Sequence, residues 1–411
     1  MRVLIINTSE RLGGAAVAAS RLMESLKNNG IKAKMLVRDK QTDQISVVGL
    51  QRNWWQVWRF VWERIVIWKA NRFKKNNLFA VDIANTGTDI TSLPEFQQAD
   101  VIHLHWVNQG MLSLNDIRKI LKSGKPVVWT MHDMWPCTGI CHHARECTNY
   151  HQECNHCPYL YGGGSKKDLS NRIFRKKQQL YKEAPITFVT CSQWLKGQAE
   201  KSALLTGETV ISIPNPINTN LFKPRNKKEA RSKCHLPQNG KLILFGSAKI
   251  TDKRKGIDYL IESCKLLAEK HPELKEFSKC SRFWSSNRNK LKPLLPFKVY
   301  PLNYVSNEHE LVDVYNAVDL FVTPSLVREP AQYHHGSYGM RSALYRLQCR
   351  RHPGNDRPSA QRVCGTIQII RRFCQRHLLG TDRPGLSVSL GTGQPKSNRQ
   401  LLGRHYCQKI H

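Results

Sequence analysis

The first 26 residues, MRVLIINTSERLGGAAVAASRLMESL, contain the unit that decides the fold. Residues 3–6 are continuously apolar, which is typical of a parallel strand covered on both faces. Gly13 and Gly14 follow the strand, and Gly30 predicts the end of the next helix. That helix carries small and apolar residues on one face: Ala15, Ala18, Leu22 and Leu26. The stretch therefore predicts a strand, a glycine turn and a helix that packs back on the sheet.

The same alternation continues along the chain. Further apolar runs, separated by helical stretches, lie at residues 31–37, 101–104, 127–129, 186–189 and 242–245. This pattern predicts a doubly wound α/β fold with sites at the carboxyl ends of the strands. Pro214, Pro216 and Pro224 interrupt the middle of the chain. We therefore expect two Rossmann-like domains, residues 1–222 and residues 223–325, of which the second is incomplete.

Charge is distributed unevenly. The formal net charge is +33, a value that ordinarily indicates a nucleic-acid or anionic-membrane partner. Much of the excess lies in residues 277–289 and 326–411, where basic residues far outnumber acidic ones. Because we attribute this part of the charge to a change of reading frame, we expect no specific nucleic-acid partner. Residues 326–411 are predicted to be an irregular, disordered basic tail.

A change of reading frame offers a reason for both stretches. Residues 330–341, PAQYHHGSYGMR, can be encoded so that a reading one base later gives LPNTIMEAMACG. Extending this reading from residue 328 gives ENLPNTIMEAMACG, with two glutamates separated by seven residues. Residues 277–289 re-read in the same way as SVNAVVFGQATA, an apolar strand. We hypothesise that the chain is frameshifted at 277–289 and from about 326; a natural basic tail is the alternative.

Four cysteines are concentrated in a loop at residues 137–158. They are Cys141, Cys147, Cys154 and Cys157, spaced C-x5-C-x6-C-x2-C. The N-terminus runs straight into VLIIN, which is too short for a signal-peptide core, and no apolar run reaches the length of a membrane span. We therefore expect a cytoplasmic protein with reduced thiols. Four thiolates suit a structural zinc site, with free thiols or disulfides as alternatives because the spacing is irregular.

Residues 53–75 predict a basic aromatic helix. Its aromatic members are Trp54, Trp55, Trp58, Trp62 and Trp68, and its basic members are Arg59, Arg64, Lys69, Arg72, Lys74 and Lys75. Such a helix can lie on anionic lipid at the inner face of a membrane. Packing of this helix against the first domain is the alternative interpretation.

Six motifs in a fixed order carry a resemblance to a known family. They are LGGAA at 12–16, DVIHLHW at 100–106, TMHDMWPCTG at 130–139, IPNPINTNLFKP at 213–224, DKRKGIDYLIES at 252–263 and VSNEHELVDVYNAVDLFVTPSL at 305–326. In this order they resemble the GT4 family of retaining, nucleotide-sugar-dependent glycosyltransferases, especially bacterial polysaccharide enzymes of the colanic-acid group. The resemblance implies the GT-B fold, a nucleotide-sugar donor, a glycan or lipid-linked acceptor, and no cofactor for catalysis.

The resemblance also implies residues that bind the donor. Gly13 and Gly14 lie where backbone N–H groups can approach an anion at a helix N-terminus. Lys249 and Lys255 occupy positions where the family holds the donor diphosphate, and Lys255 is expected to act in catalysis by stabilising the departing charge. Tyr315 lies on a helix against which the family packs the nucleotide. A plain turn, surface lysines and helical packing are the respective alternatives.

His132 is the second expected catalytic residue, because the family presents a histidine to the sugar or acceptor at this position. His103 and His105 end the preceding strand, and a role in the core is the alternative for all three. The family's paired glutamates are missing from the chain as written. The alternative function is therefore a non-catalytic frameshifted remnant, with a zinc-binding loop and nonspecific binding to anionic surfaces.

Overall fold

The computed structural model describes residues 1–51, 54–240, 242–246, 256–270, 272, 283–284, 294–300, 305, 307–323 and 343–346. The chain divides into two compact units, and the division follows Pro216. It falls in the proline-containing segment that predicted a boundary at residue 222, but slightly earlier. Residues 217–222 belong to the second unit because Phe222 packs with Ala230 and Leu242 in the core of that unit.

The first unit is built on a parallel sheet of seven strands. In chain order they are β1 (Arg2–Ser9), β2 (Lys32–Asp39), β3 (Val47–Gly49), β4 (Val101–Leu104), β5 (Val127–Met131), β6 (Ile186–Thr190) and β7 (Thr209–Ser212). Their spatial order is β3-β2-β1-β4-β5-β6-β7, and every pair is parallel. The direction of winding reverses between β1 and β4, which makes this the doubly wound arrangement that was predicted.

The helices of the first unit connect these strands. They are α1 (Gly14–Asn28), α2 (Trp54–Ala70), α3 (Pro94–Gln98), α4 (Leu114–Lys122), α5 (Leu169–Tyr181) and α6 (Gln193–Ala199). Side chains of β1 alternate between two cores: Val3 and Ile5 join one hydrophobic cluster, whereas Leu4 and Ile6 join the other. Burial on both faces explains why this strand is continuously apolar.

Gly30 ends α1 as predicted. Its φ of +79° is a left-handed conformation that glycine adopts without strain. The N–H of Gly30 donates to the Lys27 carbonyl at 3.0 Å, and the N–H of Ile31 donates to the Leu26 carbonyl at 3.0 Å. This pair of bonds satisfies carbonyls at the end of the helix and turns the chain directly into β2.

The second unit contains a parallel sheet of four strands in the order β11-β10-β8-β9. Its elements are α7 (Lys227–Lys233), β8 (Ile243–Gly246), α8 (Ile257–Lys270), β9 (Phe283–Trp284), α9 (Glu308–Ala317), β10 (Leu320–Thr323) and β11 (Ala343–Arg346). The apolar run at residues 242–245 thus forms a strand, as predicted. Apolar residues of β8 and α8 pack in one core on this sheet.

β11 corrects one expectation. Residues 326–411 were expected to be irregular, but residues 343–346 pair in parallel with β10, from Leu320↔Ala343 to Thr323↔Arg346. The pairing satisfies backbone groups along an edge of β10 that would otherwise lack partners in the sheet. The described residues do not include the remainder of 326–411 or, apart from β9, residues 277–289. The hypothesised changes of frame therefore fall outside the described residues.

Candidate active site

The carboxyl edge of the first sheet gathers several of the predicted site residues. β1, β4 and β5 are neighbours, and the chain leaves them toward Gly13, His105 and His132 respectively. In doubly wound sheets, ligands bind outside the carboxyl ends of the strands where the winding reverses. That point lies between β1 and β4, so Gly13, Gly14, His105 and His132 share the edge where a ligand site is expected.

Gly13 makes the turn from β1 into α1. It is the N-cap residue of α1, with φ +89° and ψ 167°, and it makes no side-chain capping bond. A side chain at this φ would be strained although the space beside the residue is open. Gly14 is the first residue of the helix. Contact of Gly13 and Gly14 with a donor anion stays a prediction.

His105 and His132 form a hydrogen-bonded pair. His105 Nδ1 lies 2.8 Å from His132 Nε2, and the two rings stack with centroids 5.0 Å apart. Burial lowers the pKa of His132 to about 4 and holds the pKa of His105 well below its ordinary value. Both rings are therefore neutral at neutral pH, with one nitrogen donating and the other accepting. His132 is half-buried, whereas His105 is buried.

His103 has a different role in the same cluster. Its side chain is buried, and its Nε2 lies 2.8 Å from Thr130 Oγ1 on β5. Burial lowers its pKa to about 3. The centre of its ring lies 4.7 Å from the centre of the His105 ring. For His103, the alternative of a hydrogen-bonded core histidine is the one that the structure favours.

Asp133 follows His132 and is held by three donors. Its Oδ1 accepts from the Trp135 N–H at 2.8 Å. Its Oδ2 accepts from Trp106 Nε1 at 3.0 Å and from His142 Nδ1 at 2.7 Å. Burial alone would raise the pKa of Asp133, but the charge and hydrogen bond of His142 lower it to about 2. Asp133 is therefore ionised and fixed in place directly beside His132.

His142 bridges two carboxylates. While Nδ1 contacts Asp133, Nε2 lies 2.6 Å from Asp82 Oδ2. Both ring nitrogens can donate at once only in the protonated imidazolium. Burial opposes protonation, but the two carboxylates outweigh it and raise the pKa of His142 to about 10. His142 is thus a half-buried cation at neutral pH, in contrast to the neutral His132.

The ionic contacts continue from Asp82 to α2. Arg64 of α2 forms an ion pair with Asp82, and its Nη2 lies 3.0 Å from Glu63 Oε2. Glu63 Oε1 also accepts from the N–H groups of Ile83 and Ala84, each at 2.8 Å. Sequence reasoning missed this network. Its signal was weak: a glutamate and an arginine within a run of tryptophans, and an aspartate far from His142 along the chain.

Lys177 anchors the loop that carries His132 and Asp133. Its side chain is fully buried. Its Nζ donates to the carbonyl of Trp135 at 2.7 Å and to that of Thr138 at 3.0 Å, and it lies 3.3 Å from the centre of the Trp135 ring. The hydroxyl of Tyr181 donates to the Pro136 carbonyl at 3.0 Å. These bonds from α5 immobilise the TMHDMWPCTG segment.

The four predicted zinc ligands come together beside this loop. Cys141, Cys147, Cys154 and Cys157 are free thiols that line one cavity of about 20 Å³. The Gly139 N–H donates to Cys154 Sγ at 3.3 Å. Burial raises the pKa of Cys154 to about 12 and of Cys157 to about 11. Within the described ranges, no three His, Cys, Asp or Glu side chains stand where they could hold a metal ion, so zinc stays a prediction.

Of the three predicted donor residues in the second unit, the structure describes Tyr315. Lys249 and Lys255 lie outside the described residues. Tyr315 lies in the core of the unit with an exposed fraction of 1%, and its ring centre is 5.7 Å from that of Phe321. Its burial favours the alternative of helical packing over a donor contact.

Comparison with known proteins relates the chain to sugar-transferring enzymes. The sequence pattern of Glycosyltransferase Family 4 matches residues 12–221, about half of the chain. A putative colanic acid biosynthesis glycosyl transferase, WcaC of Escherichia coli K12, is 31% identical over 90 residues. That match covers 20% of this chain and 22% of WcaC, so the chain spans about a fifth of the length of this relative.

Solved structures extend the similarity to the whole fold. Trehalose-6-phosphate synthase OtsA has a TM-score of 0.56 at 13% identity, with 90% of this chain and 96% of that chain covered. A glycosyltransferase from Rickettsia africae has a TM-score of 0.53 at 14% identity, covering 93% and 89%. Anabaena HepE with UDP and glucose has a TM-score of 0.52 at 13% identity, covering 93% and 91%. The similarity confirms the predicted GT-B fold.

Proposed function

Because the chain belongs to glycosyltransferase family 4, we propose that it transfers a sugar from a nucleotide-sugar donor to a glycan or lipid-linked acceptor. The observation that carries this proposal is the neutral histidine pair, His105 and His132, at the carboxyl edge of the first sheet. The similarity to WcaC supports polysaccharide biosynthesis as the setting. The complex of HepE with UDP and glucose supports a nucleotide-sugar donor.

The proposed step retains the configuration of the sugar and uses no metal in catalysis. The bond between the anomeric carbon and the donor diphosphate oxygen breaks, and the acceptor hydroxyl oxygen bonds to that carbon on the same face. The hydroxyl proton leaves with the diphosphate. Lys249 and Lys255 are proposed to hold the diphosphate, since fixed positive charge lowers the barrier where negative charge develops.

His132 is proposed to orient the sugar or acceptor by a hydrogen bond. A neutral imidazole can donate to or accept from a hydroxyl group, whereas an imidazolium can only donate. Burial keeps His132 neutral by lowering its pKa to about 4. His105 is a positioning residue, because its 2.8 Å bond to Nε2 fixes the ring of His132. The ionised Asp133 fixes the backbone that follows, through the Trp135 N–H.

Release of nucleoside diphosphate across a panel of nucleotide sugars tests the proposal. The experiment uses the chain as written and a version with the frame restored beyond about residue 326. We expect turnover from the restored chain and little from the chain as written. His132→Ala or Lys255→Ala in the restored chain should lower turnover by roughly 10²–10³, the usual cost of an aligned stabilising group.

His235 provides a matched control. It is exposed in the second unit, and its φ of +53° is a conformation that asparagine tolerates. His235→Asn should leave turnover unchanged. Equal turnover of the restored and unrestored chains would contradict the need for the paired glutamates. The anomeric configuration of the product, read by NMR, tests retention separately, and an inverted product would reject that part of the proposal.

A further inference from the structure

α2 is inverted relative to an ordinary surface helix. Its buried side chains are Gln56, Glu63, Arg64 and Ile67, of which three are polar or charged. Its exposed side chains include seven large apolar ones, each more than a third exposed: Trp54, Trp55, Val57, Trp58, Val61, Trp62 and Ile65. We refer to these seven as the outward face. Contiguous apolar surface on this scale typically marks an interaction site.

The inward side of α2 fixes this orientation. Glu63 accepts the N–H groups of Ile83 and Ala84. Arg64 Nη1 donates to the carbonyl of Leu78 at 2.6 Å and to that of Val81 at 3.1 Å. Rolling the helix to cover its tryptophans would remove these partners from two buried ionisable groups, which is strongly unfavourable. The inward contacts of Glu63 and Arg64 therefore keep the outward face exposed on the first unit.

The exposed charges of residues 54–75 have one sign. The one acidic residue in 54–75 is Glu63, whose exposed fraction is 0%. The cations that follow in the same stretch are exposed: Lys69, Arg72, Lys74 and Lys75. Tryptophan is enriched at membrane–water interfaces, and clustered basic residues are attracted to anionic lipid headgroups. Apolar, aromatic and basic groups together are typical of helices that lie in the membrane interface.

We propose that α2 docks this protein on an anionic lipid bilayer through the outward face. Among the described segments, no helix is long and apolar enough to cross a bilayer, so the contact is with the surface. Protein interfaces are depleted of lysine, which favours lipid over a second copy of the chain as the occupant of this basic surface. Docking would bring the chain to a lipid-linked acceptor; that link rests on the proposed function, whereas docking itself does not.

Cosedimentation with vesicles tests the docking surface. The full chain is mixed, without donor, with vesicles of phosphatidylcholine or of phosphatidylcholine with phosphatidylglycerol. We expect strong partitioning onto the anionic vesicles, weak partitioning onto the neutral ones, and a loss of binding as salt increases. Equal binding to both vesicle types, or binding to neither, would overturn the proposal.

Substitutions locate the contact on α2. Trp58→Gln with Trp62→Gln should weaken partitioning by roughly tenfold or more. Lys74→Gln and Lys75→Gln should each weaken it by roughly fivefold at low salt. Ile45 is the matched control: it is 92% exposed but lies outside α2, and Ile45→Gln should leave partitioning unchanged. Partitioning that survives the paired tryptophan substitutions would overturn the proposal.

Two further readouts distinguish lipid docking from misfolding and from protein association. Circular dichroism establishes that each variant is folded before its partitioning is compared. A lipid-free dimer that dissociates on Trp58→Gln with Trp62→Gln would assign the outward face to protein association and reject lipid docking. In the frame-restored chain, nucleoside diphosphate release on a soluble acceptor should be the same with and without these two tryptophan substitutions. A failure of transfer is thereby distinguished from a failure of docking.

Discussion

The polar cluster around His142 and the cysteine cluster differ in how their charges are balanced. Around His142, the carboxylates of Asp133 and Asp82 meet a protein cation, and Arg64 extends the balance. The cysteine cluster contains four thiols around one small cavity, and burial raises the pKa of three of them. The first cluster is complete within the protein, whereas the second would need a cation from solution to become ionised.

The largest loss in the free energy of unfolding is expected when a carboxylate is removed from the cluster around His142. Asp82→Asn leaves His142 and Arg64 buried with less negative charge, and we expect the free energy of unfolding to fall by about 3–5 kcal/mol. Urea denaturation measures the loss. Asp89→Asn is the control, because the contact of Asp89 with Lys119 is exposed and should cost less than about 1 kcal/mol. Equal losses for the two variants would contradict a self-sufficient buried network.

Metal analysis of the purified protein tests zinc binding by the cysteine cluster. We expect about one zinc per chain from a tetrahedral thiolate site. At free zinc one hundred times above the dissociation constant, binding should stabilise the fold by about 2.7 kcal/mol, seen as a higher melting temperature. Cys154→Ser should abolish this stabilisation, while Cys191→Ser, at a buried thiol outside the cluster, should preserve it. Native protein without zinc, in which all four thiols are alkylated, would reject the prediction.

The pH dependence of stability should identify the first cluster. The pKa of His142 is raised from 6.5 to about 10, so its contribution is complete below pH 6.5 and is lost as the pH rises through 10. The pKa of Asp133 is lowered from 3.8 to about 2, so its contribution is complete above pH 3.8 and is lost as the pH falls through 2. Both contributions are therefore complete between pH 3.8 and 6.5.

His142→Gln tests this window. We expect it to lower the free energy of unfolding by about 1–3 kcal/mol at pH 6, because glutamine cannot supply a positive charge to the two carboxylates. The difference from the parent chain should shrink as the pH approaches 10. Unfolding curves in urea at several pH values measure it. A difference that is independent of pH would contradict a protonated His142.

The smallest expected effect comes from one neutral donor at the edge of the first cluster. Trp106→Phe keeps the apolar ring but removes the Nε1 donor to Asp133, which retains its bonds from Trp135 and His142. We expect a loss of about 1 kcal/mol in the free energy of unfolding. Trp68→Phe removes an exposed bond to the Phe73 carbonyl and should cost less. A larger loss at Trp68 would contradict the ranking.

The arrangement of the first unit could be predicted because its strands have a direct signal. Residues 3–6 are apolar at every position, and the structure buries alternate side chains in two cores. Gly30 marks a left-handed helix end that few other residues adopt at low cost. The proline-rich middle of the chain indicated where the units divide, but only the packing of Phe222 with Ala230 shows on which side residues 217–222 belong.

The orientation of α2 could not be predicted, because periodicity identifies an apolar face without saying what covers it. Hydrophobicity alone would turn the tryptophans inward. The opposite orientation depends on Glu63 and Arg64 meeting backbone groups of residues 78–84, and no local pattern encodes these partners. Long-range contacts of charged groups, rather than helix amphipathicity, decide this part of the structure.

Sequence motifs indicated candidate site residues, but not their charge states. His132 and the four cysteines are recognisable from motif and spacing, and their roles in binding stay predictions. The protonation of His142 depends on Asp82, which lies 60 residues earlier in the chain. For Tyr315, the resemblance to the family implied a ligand contact, but the side chain lies in the core of the second unit.

Chemical labelling of the buried amine of Lys177 can measure local opening of the loop around His132. Its amino group is enclosed by two backbone carbonyls and the ring of Trp135, so a reagent that acylates lysines cannot reach it in the closed state. Modification therefore requires α5 to separate from this loop. The labelling rate of Lys177, set against those of surface lysines, measures how often the candidate site opens without complete unfolding.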